Sequence, residues 1–261
     1  MTYLNQSFAP LDQRIGFTFN AVNVLADTWI NCWDGQHPLL DIGCGNCMNS
    51  RQAAAAGANV VATELNQSVI PQLEQENKEL NIQFSYLHLP DNVPFKNYSF
   101  SGILCSEVFH FLDHDEVLST IKQLFDLLIS GGKALITCAS EELALLQPFG
   151  LKAHKIQQQE NDTNCMKALN NYMDILRAAR DMESPDHPAW EIYKANVAAH
   201  VFGSYFNFFN PEQLASAFEQ QGFIIESITL GAADHYPIWK HGEQDQVRLV
   251  ARKPEAETNF A

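Results

Sequence analysis

The stretch that most constrains this chain is Leu39-Leu40-Asp41-Ile42-Gly43-Cys44-Gly45-Asn46-Cys47. An apolar run carrying one carboxylate passes into a glycine turn, and the residues from Asn46 onward read as a helix. The pattern is a buried strand, a tight turn and a helix N-terminus in succession. Gly43 and Gly45 can take a positive φ and let a ligand approach the backbone closely. The helix behind them offers unpaired N–H groups and a partial positive charge. Asp41 stands two residues before the first glycine. A carboxylate there suits a cationic amino group better than a phosphate.

An alternation of strands and helices runs on from this point. Strands are expected over 39–43, 59–64, 82–87, 100–105 and 133–138. Helices are expected over 48–56, 68–80 and 116–129, with Gly57 past the end of the first and Ser130-Gly131-Gly132 stopping the last. Such alternation implies a parallel sheet with helices on both faces. Over 141–207 the alternation breaks. That segment is helical in pattern, notably over 166–182 and 190–202, and is far longer than an ordinary connection, so it reads as a lid inserted into the domain. Asn210-Pro211 then caps another helix, and strands return over 224–230 and 247–252. Ahead of the first strand, Leu11, Ile15, Phe19, Val22, Ala26 and Trp29 recur at spacings of three and four, which predicts a helical cover over 1–35. The whole of 1–261 is expected to be one α/β domain.

Charge excludes some partners. The formal net charge is −15, and the 16 lysines and arginines form no dense cluster, so neither nucleic acid nor an anionic membrane surface is an expected partner. No apolar run is long enough to span a bilayer, and the first residues lack a basic patch followed by an apolar core. The six cysteines sit in a chain large enough to fold without staples and read as reduced thiols of a cytoplasmic protein. Cys44-Gly45-Asn46-Cys47 is a C-x-x-C spacing with no second copy. It reads as small residues at a crowded turn, and no metal site is expected.

Glu64 sharpens the meaning of the glycine turn. It ends the second strand, where nucleoside-binding folds place an acid on the ribose hydroxyls. Dinucleotide-binding proteins share that feature, but their G-x-G-x-x-G pattern would need glycine where Met48 stands, and it does not call for Asp41.

With these landmarks the chain resembles the class I S-adenosylmethionine (SAM)-dependent methyltransferases, in particular those acting on small molecules. Asp41-Ile42-Gly43-Cys44-Gly45-Asn46-Cys47 matches the family's D/E-x-G-x-G-x-G motif, with Cys47 at the third glycine. Pro94-Phe95-Lys96-Asn97-Tyr98-Ser99-Phe100 resembles the approach to strand 4, and Ser106-Glu107-Val108-Phe109-His110-Phe111-Leu112 the run that follows it. Leu127–Lys133 resembles the lead into strand 5, and Phe209–Leu214 with Gly222-Phe223 the lead into strand 6. The resemblance implies a Rossmann-like seven-stranded sheet of order 3-2-1-4-5-7-6 with strand 7 antiparallel. It implies SAM as cofactor, with S-adenosylhomocysteine as product. Asp41, Gly43, Cys44 and Gly45 would meet its amino-acid end. Glu64 would take the ribose and Leu65 would pack on the adenine, with Cys105 and Ser106 bordering the site. The acid that often meets the adenine amino group falls at Leu89 by position, and Asp91 is the nearest carboxylate.

Methyl transfer needs an acceptor held in line with the departing sulfur, and a base only where the acceptor carries a proton. His110 is the candidate base, because histidine titrates near neutrality, and Glu107 is a candidate supporting acid or a contact on the SAM side, with capping of the next turn as the plainer reading. Tyr3, Arg14, His200, Tyr205, Phe206 and His235 are candidates to line the substrate pocket. The expected function is SAM-dependent methylation of a small-molecule acceptor. A protein methyltransferase, or a SAM-binding partner or sensor that has lost turnover, are the alternatives, and NAD-dependent oxidoreduction is disfavoured by Met48 and Asp41.

Overall fold

A computed structural model of the chain describes residues 8–12, 16–143, 166–169, 206–234 and 242–256. Its first elements differ from expectation. Strands β1 (Phe8–Asp12) and β2 (Gly16–Phe19) pair antiparallel, Phe8 opposite Phe19, and only α1 (Ala26–Ile30) is helical. The expected helical cover includes Pro10 and its apolar spacing runs across Gly16, the two poorest helix-forming residue types, while Phe17-Thr18-Phe19 has strand-forming side chains.

The central sheet follows the sequence closely. Its first five strands are β3 (Leu39–Ile42), β4 (Val60–Glu64), β5 (Ile82–Tyr86), β6 (Phe100–Ser106) and β7 (Leu128–Ala139). These five are parallel neighbours in the spatial order β7-β6-β3-β4-β5. All of β3 and β4 is buried, as continuous apolar runs in a sheet covered on both faces must be. Helix α2 (Met48–Ala55) follows β3, α3 (Ile70–Glu76) follows β4, and α4 (His114–Leu127) precedes β7. Pro71 lies in the first turn of α3, where its missing N–H costs nothing. The start of α4 is fixed by a reciprocal capping box between Asp113 and Glu116. Gly131 and Gly132 do not interrupt strand and helix as expected. They lie inside β7, at a register shift against β6, and Gly131 takes φ 78°.

Two further strands pair with each other: β8 (Met166–Leu169) against β9 (Phe206–Phe209), antiparallel. The helix expected from residue 166 is therefore a strand at its start. Met, Lys, Ala and Leu are helix formers, but the aromatic β9 beside them offers a pairing edge that outweighs propensity. The rest of the expected lid helices lies outside the described residues. After β9 come α5 (Pro211–Gln220), capped by Asn210, and then β10 (Ile224–Gly231) and β11 (Gln246–Arg252). Strand β11 inserts between β10 and β7, antiparallel to both. In order of position along the chain this seven-stranded sheet reads 3-2-1-4-5-7-6, as the resemblance implies.

The two faces of the sheet bury separate cores. On one, Leu40, Ile42, Ile103, Cys105 and Ile136 pack with Ile121 and Leu124 of α4 and Phe218 of α5. On the other, Leu39, Val60, Leu104 and Leu135 pack with Trp29 of α1 and Ala53 of α2. Trp29 buries its ring completely and donates its indole N–H to the Gly102 carbonyl at 3.2 Å. Strand order reverses between β3 and β6, and a crevice at the carboxyl ends of those strands is where such sheets bind ligands.

Candidate active site

The turn after β3 is built to hold a cofactor. Gly43, Gly45 and Cys47 all have positive φ, at 70°, 53° and 59°. Cys47 occupies the third glycine position of the motif in the left-handed conformation that glycine would take there without strain. Its thiol is fully buried, with Sγ 3.6 Å from that of Cys44. The Cys47 contact and burial push the Cys44 thiol well above its usual range. Cys44 is thus held as a neutral thiol, and the two side chains fill space under the turn. A Cβ at Gly43 would stand 2.7 Å from Cγ2 of Val108, so β6's exit loop closes on this turn directly.

Carboxylates converge on the same ends of the strands. Asp41 is wholly buried, and its Oδ2 accepts a 2.6 Å hydrogen bond from the Ser50 hydroxyl on α2. Its Oδ1 has no partner. Burial raises its pKa to about 7, with the Ser50 hydrogen bond opposing and the Glu64 charge adding to the rise. Glu64, at the end of β4, accepts from the Gly45 amide at 2.6 Å and from the Leu65 amide at 3.2 Å. Burial raises its pKa too, against those two amides. Each Glu64 oxygen keeps a further acceptor site beyond its amide. Leu65, 42% exposed, presents an apolar surface beside it. Glu107 follows β6 with φ 59°, and both its charge and that of Asp41 reach the buried Cys105 thiol and raise its pKa, after burial itself. An orphaned carboxylate oxygen and three acids at one mouth fit a ligand carrying positive charge.

The other expected residues are placed unevenly. Cys105 turns its side chain into the main core, leaving only its backbone for a ligand. Ser106 accepts from Asn23 at 2.7 Å. Asp91 is 74% exposed on a surface turn, its carboxylate 3.8 Å from His88, and Leu89 behind it is buried in the core. His110 is buried, with Nδ1 4.0 Å from Oε2 of Glu107 and its ring edge-on to Phe111. Phe206 lies in β9. Tyr3, Arg14, His200, Tyr205 and His235 lie outside the described residues.

Some site residues gave no signal in the sequence. Asn23 is buried between the N-terminal segment and the cleft, donating to Ser106 and to Thr137 of β7 at 2.7 and 2.8 Å. Its backbone N–H donates to Asn49 on α2 at 2.7 Å. Gln246, at the start of β11, donates to Glu107 at 2.7 Å. Both are single amides in stretches without a motif, joined to the site only by the folded sheet. Ser50 had a usable signal, being a small hydroxyl in the first turn of the helix that the glycine turn launches.

The comparisons with known proteins agree with this geometry. A family model described as a methyltransferase domain matches residues 39–132, from β3 to the glycines of β7. This is the class I SAM-dependent methyltransferase fold. A SAM-dependent methyltransferase from Methanosarcina mazei superposes with a TM-score of 0.60 at 15% identity, over 90% of this chain and 99% of that one. The glycopeptide N-methyltransferase MtfA, solved with SAM, gives 0.57 at 17% identity over 90% and 88%. The [4+2]-cyclase SpnF gives 0.54 at 15% identity over 96% and 87%. No curated protein matches the sequence. At these identities the solved structures establish the methyltransferase fold. Among the described residues, no helix is long and apolar enough to cross a membrane, and no group of three or more His, Cys, Asp or Glu is arranged to hold a metal ion.

Proposed function

We propose that the protein is a cytoplasmic, SAM-dependent methyltransferase acting on a small-molecule acceptor. The observation that carries this reading is the buried Asp41 carboxylate, with one oxygen unpartnered, directly before a glycine turn whose backbone is locked by Glu64. SAM brings an ammonium and a sulfonium, and the acids at the ends of β3, β4 and β6 favour both. When bound, it supplies a methyl group whose bond to sulfur returns its electron pair to sulfur as the acceptor's bond forms. Asp41 would hold the ammonium, Glu64 the ribose hydroxyls, and Leu65 the adenine face. His110 would take the acceptor's proton where there is one. Asn23 ties the N-terminal segment over the cleft and helps to exclude water. The net charge of −15 supports a small acceptor over a nucleic acid.

Calorimetry tests the cofactor first. SAM should bind and NAD should not, and tight NAD binding without SAM binding would end the reading. A metabolite screen that follows S-adenosylhomocysteine release then tests turnover. The similarity to a cyclase of the same fold makes this second step necessary, because binding without methyl transfer would favour a SAM-binding protein of another activity.

A further inference from the structure

One chain of polar side chains enters the site from a strand that no motif marks. Gln246 opens β11, beside Ala139 at the end of β7, and is 1% exposed. Its Nε2 donates to Oε1 of Glu107 at 2.7 Å, and its Oε1 accepts from Nε of Arg248 at 3.0 Å. A guanidinium nitrogen can only donate, so the atom it meets must be the amide oxygen. The opposite end of the amide is therefore the NH2, and it faces Glu107. Arg248 itself is anchored to the Ala232 carbonyl.

Glu107 is held in a conformation that costs something. Its φ of 59° is left-handed, which is strained for a residue with a side chain. Its own N–H donates to the Thr137 carbonyl at 2.9 Å and fixes that turn. With Oε1 taken by Gln246, Oε2 is the oxygen that faces His110, 4.0 Å from Nδ1. That distance is longer than a hydrogen bond, and the carboxylate's negative charge favours the imidazole tautomer whose N–H is turned towards it.

We propose that Gln246 is a positioning residue. It holds the Glu107 carboxylate against Nδ1 of His110, so that Nδ1 carries the imidazole proton and Nε2 is the basic nitrogen. The inference rests on the reading of His110 as the base for a protonated acceptor. There Nε2 would take the acceptor's proton as the acceptor's electron pair bonds the methyl carbon and the pair of the breaking carbon–sulfur bond stays on sulfur. The resulting imidazolium then stands beside a carboxylate held by the Gln246 amide, whose orientation Arg248 fixes.

The test is nitrogen NMR on the full chain with 15N-labelled histidine, at a fixed pH where His110 is neutral. The wild type should show one His110 tautomer, protonated at Nδ1. Gln246→Met should give a mixture of tautomers, and so should Glu107→Gly, which removes the carboxylate while fitting the left-handed backbone. Should Met at position 246 fail to fold, Gln246→Ala carries the same test, because it also removes the amide N–H that Glu107 accepts. A His110 tautomer unchanged in a folded Gln246→Met or Gln246→Ala protein would overturn the proposal and leave Gln246 as a strand tie only. This readout needs no SAM, so a failure of SAM binding would be seen separately by calorimetry.

Discussion

Glu64 reaches from the end of β4 to the glycine turn after β3, its Oε1 2.6 Å from the Gly45 amide nitrogen. Its second oxygen accepts from the Leu65 amide at 3.2 Å. One carboxylate thus sets both the turn that would cradle the cofactor's amino-acid end and the loop beneath its adenine. Glu64→Gln separates these roles from plain volume. An amide can accept from only one of the two N–H groups and must present its own NH2 to the other. Hydrogen bonds to charged groups are worth about 1.5–3 kcal/mol, so a loss of about 2 kcal/mol in urea unfolding is expected. SAM affinity should fall about tenfold or more by calorimetry, and an unchanged affinity would remove Glu64 from the cofactor site.

Asp41 sets a pH dependence. Its pKa in the folded protein is about 7, against 3.8 for the free group, because burial penalises the anion. The folded state therefore binds a proton that the unfolded chain has released. From this group, stability is greatest below about pH 4 and declines as pH rises towards 7. Glu64, also raised by burial, acts in the same direction. Thermal melts of the ligand-free protein should show this decline between pH 5 and 8 flattened in Asp41→Asn. A cationic ammonium on Asp41 reverses the preference and expels the proton. Calorimetry near pH 6.5 in two buffers of different ionisation enthalpy should then detect proton release on SAM binding in the wild type and not in Asp41→Asn.

The parts of this molecule legible from sequence are those where local pattern and tertiary role coincide. Leu39–Ile42 and Val60–Glu64 are apolar runs buried on both faces, and Gly43 and Gly45 do adopt the positive φ that their type allows. Asp41 and Glu64 stand where the strand ends put them. The N-terminal hairpin is not legible, because apolar spacing over 11–29 fits a helix and within it only Gly16, a poor helix former, stands clearly against one. The strand at Met166–Leu169 is not legible in its own residues, because its pairing partner is Phe206–Phe209. Cys105 alternates with Ser106 on its strand, so the sheet's two-residue period sends its thiol to the core and the Ser106 hydroxyl to Asn23. Asn23 and Gln246 reach the cleft through contacts more than eighty residues apart in the chain, which no local pattern encodes.

Gly43 and Val108 should behave as a coupled pair. Alanine at 43 meets Val108 Cγ2 at 2.7 Å and must also hold φ 70°. The backbone part costs about 1–2 kcal/mol, and overpacking adds about 1–3 kcal/mol. Val108→Ala removes the clash but not the backbone strain. The double variant should therefore recover part of the stability lost by Gly43→Ala, with a coupling of about 1 kcal/mol in denaturant titrations. Strict additivity would show that the turn moves away from the β6 exit loop and that the contact does not hold it.

Asn23 fastens the N-terminal segment to the cleft through three elements: α2 by Asn49, the end of β6 by Ser106, and β7 by Thr137. Its Oδ1 also accepts from the Leu25 amide at 2.8 Å, which leads into α1. Asn23→Ala loses the side-chain bonds, and about 2–3 kcal/mol of stability should go with them at about 1 kcal/mol each. Asn23→Asp is the sharper variant. The Ser106 and Thr137 hydroxyls can rotate to donate to a carboxyl group, so its hydrogen bonds survive and only a buried charge is added. Burial will raise the new carboxyl's pKa, so its folded form holds a proton that the unfolded chain gives up. The variant should then approach wild-type stability near pH 5 and fall away as pH rises to 8. If Asn23→Asp tracks the wild type across that range in thermal melts, the site is wetter than its burial indicates and the segment does not seal the cleft.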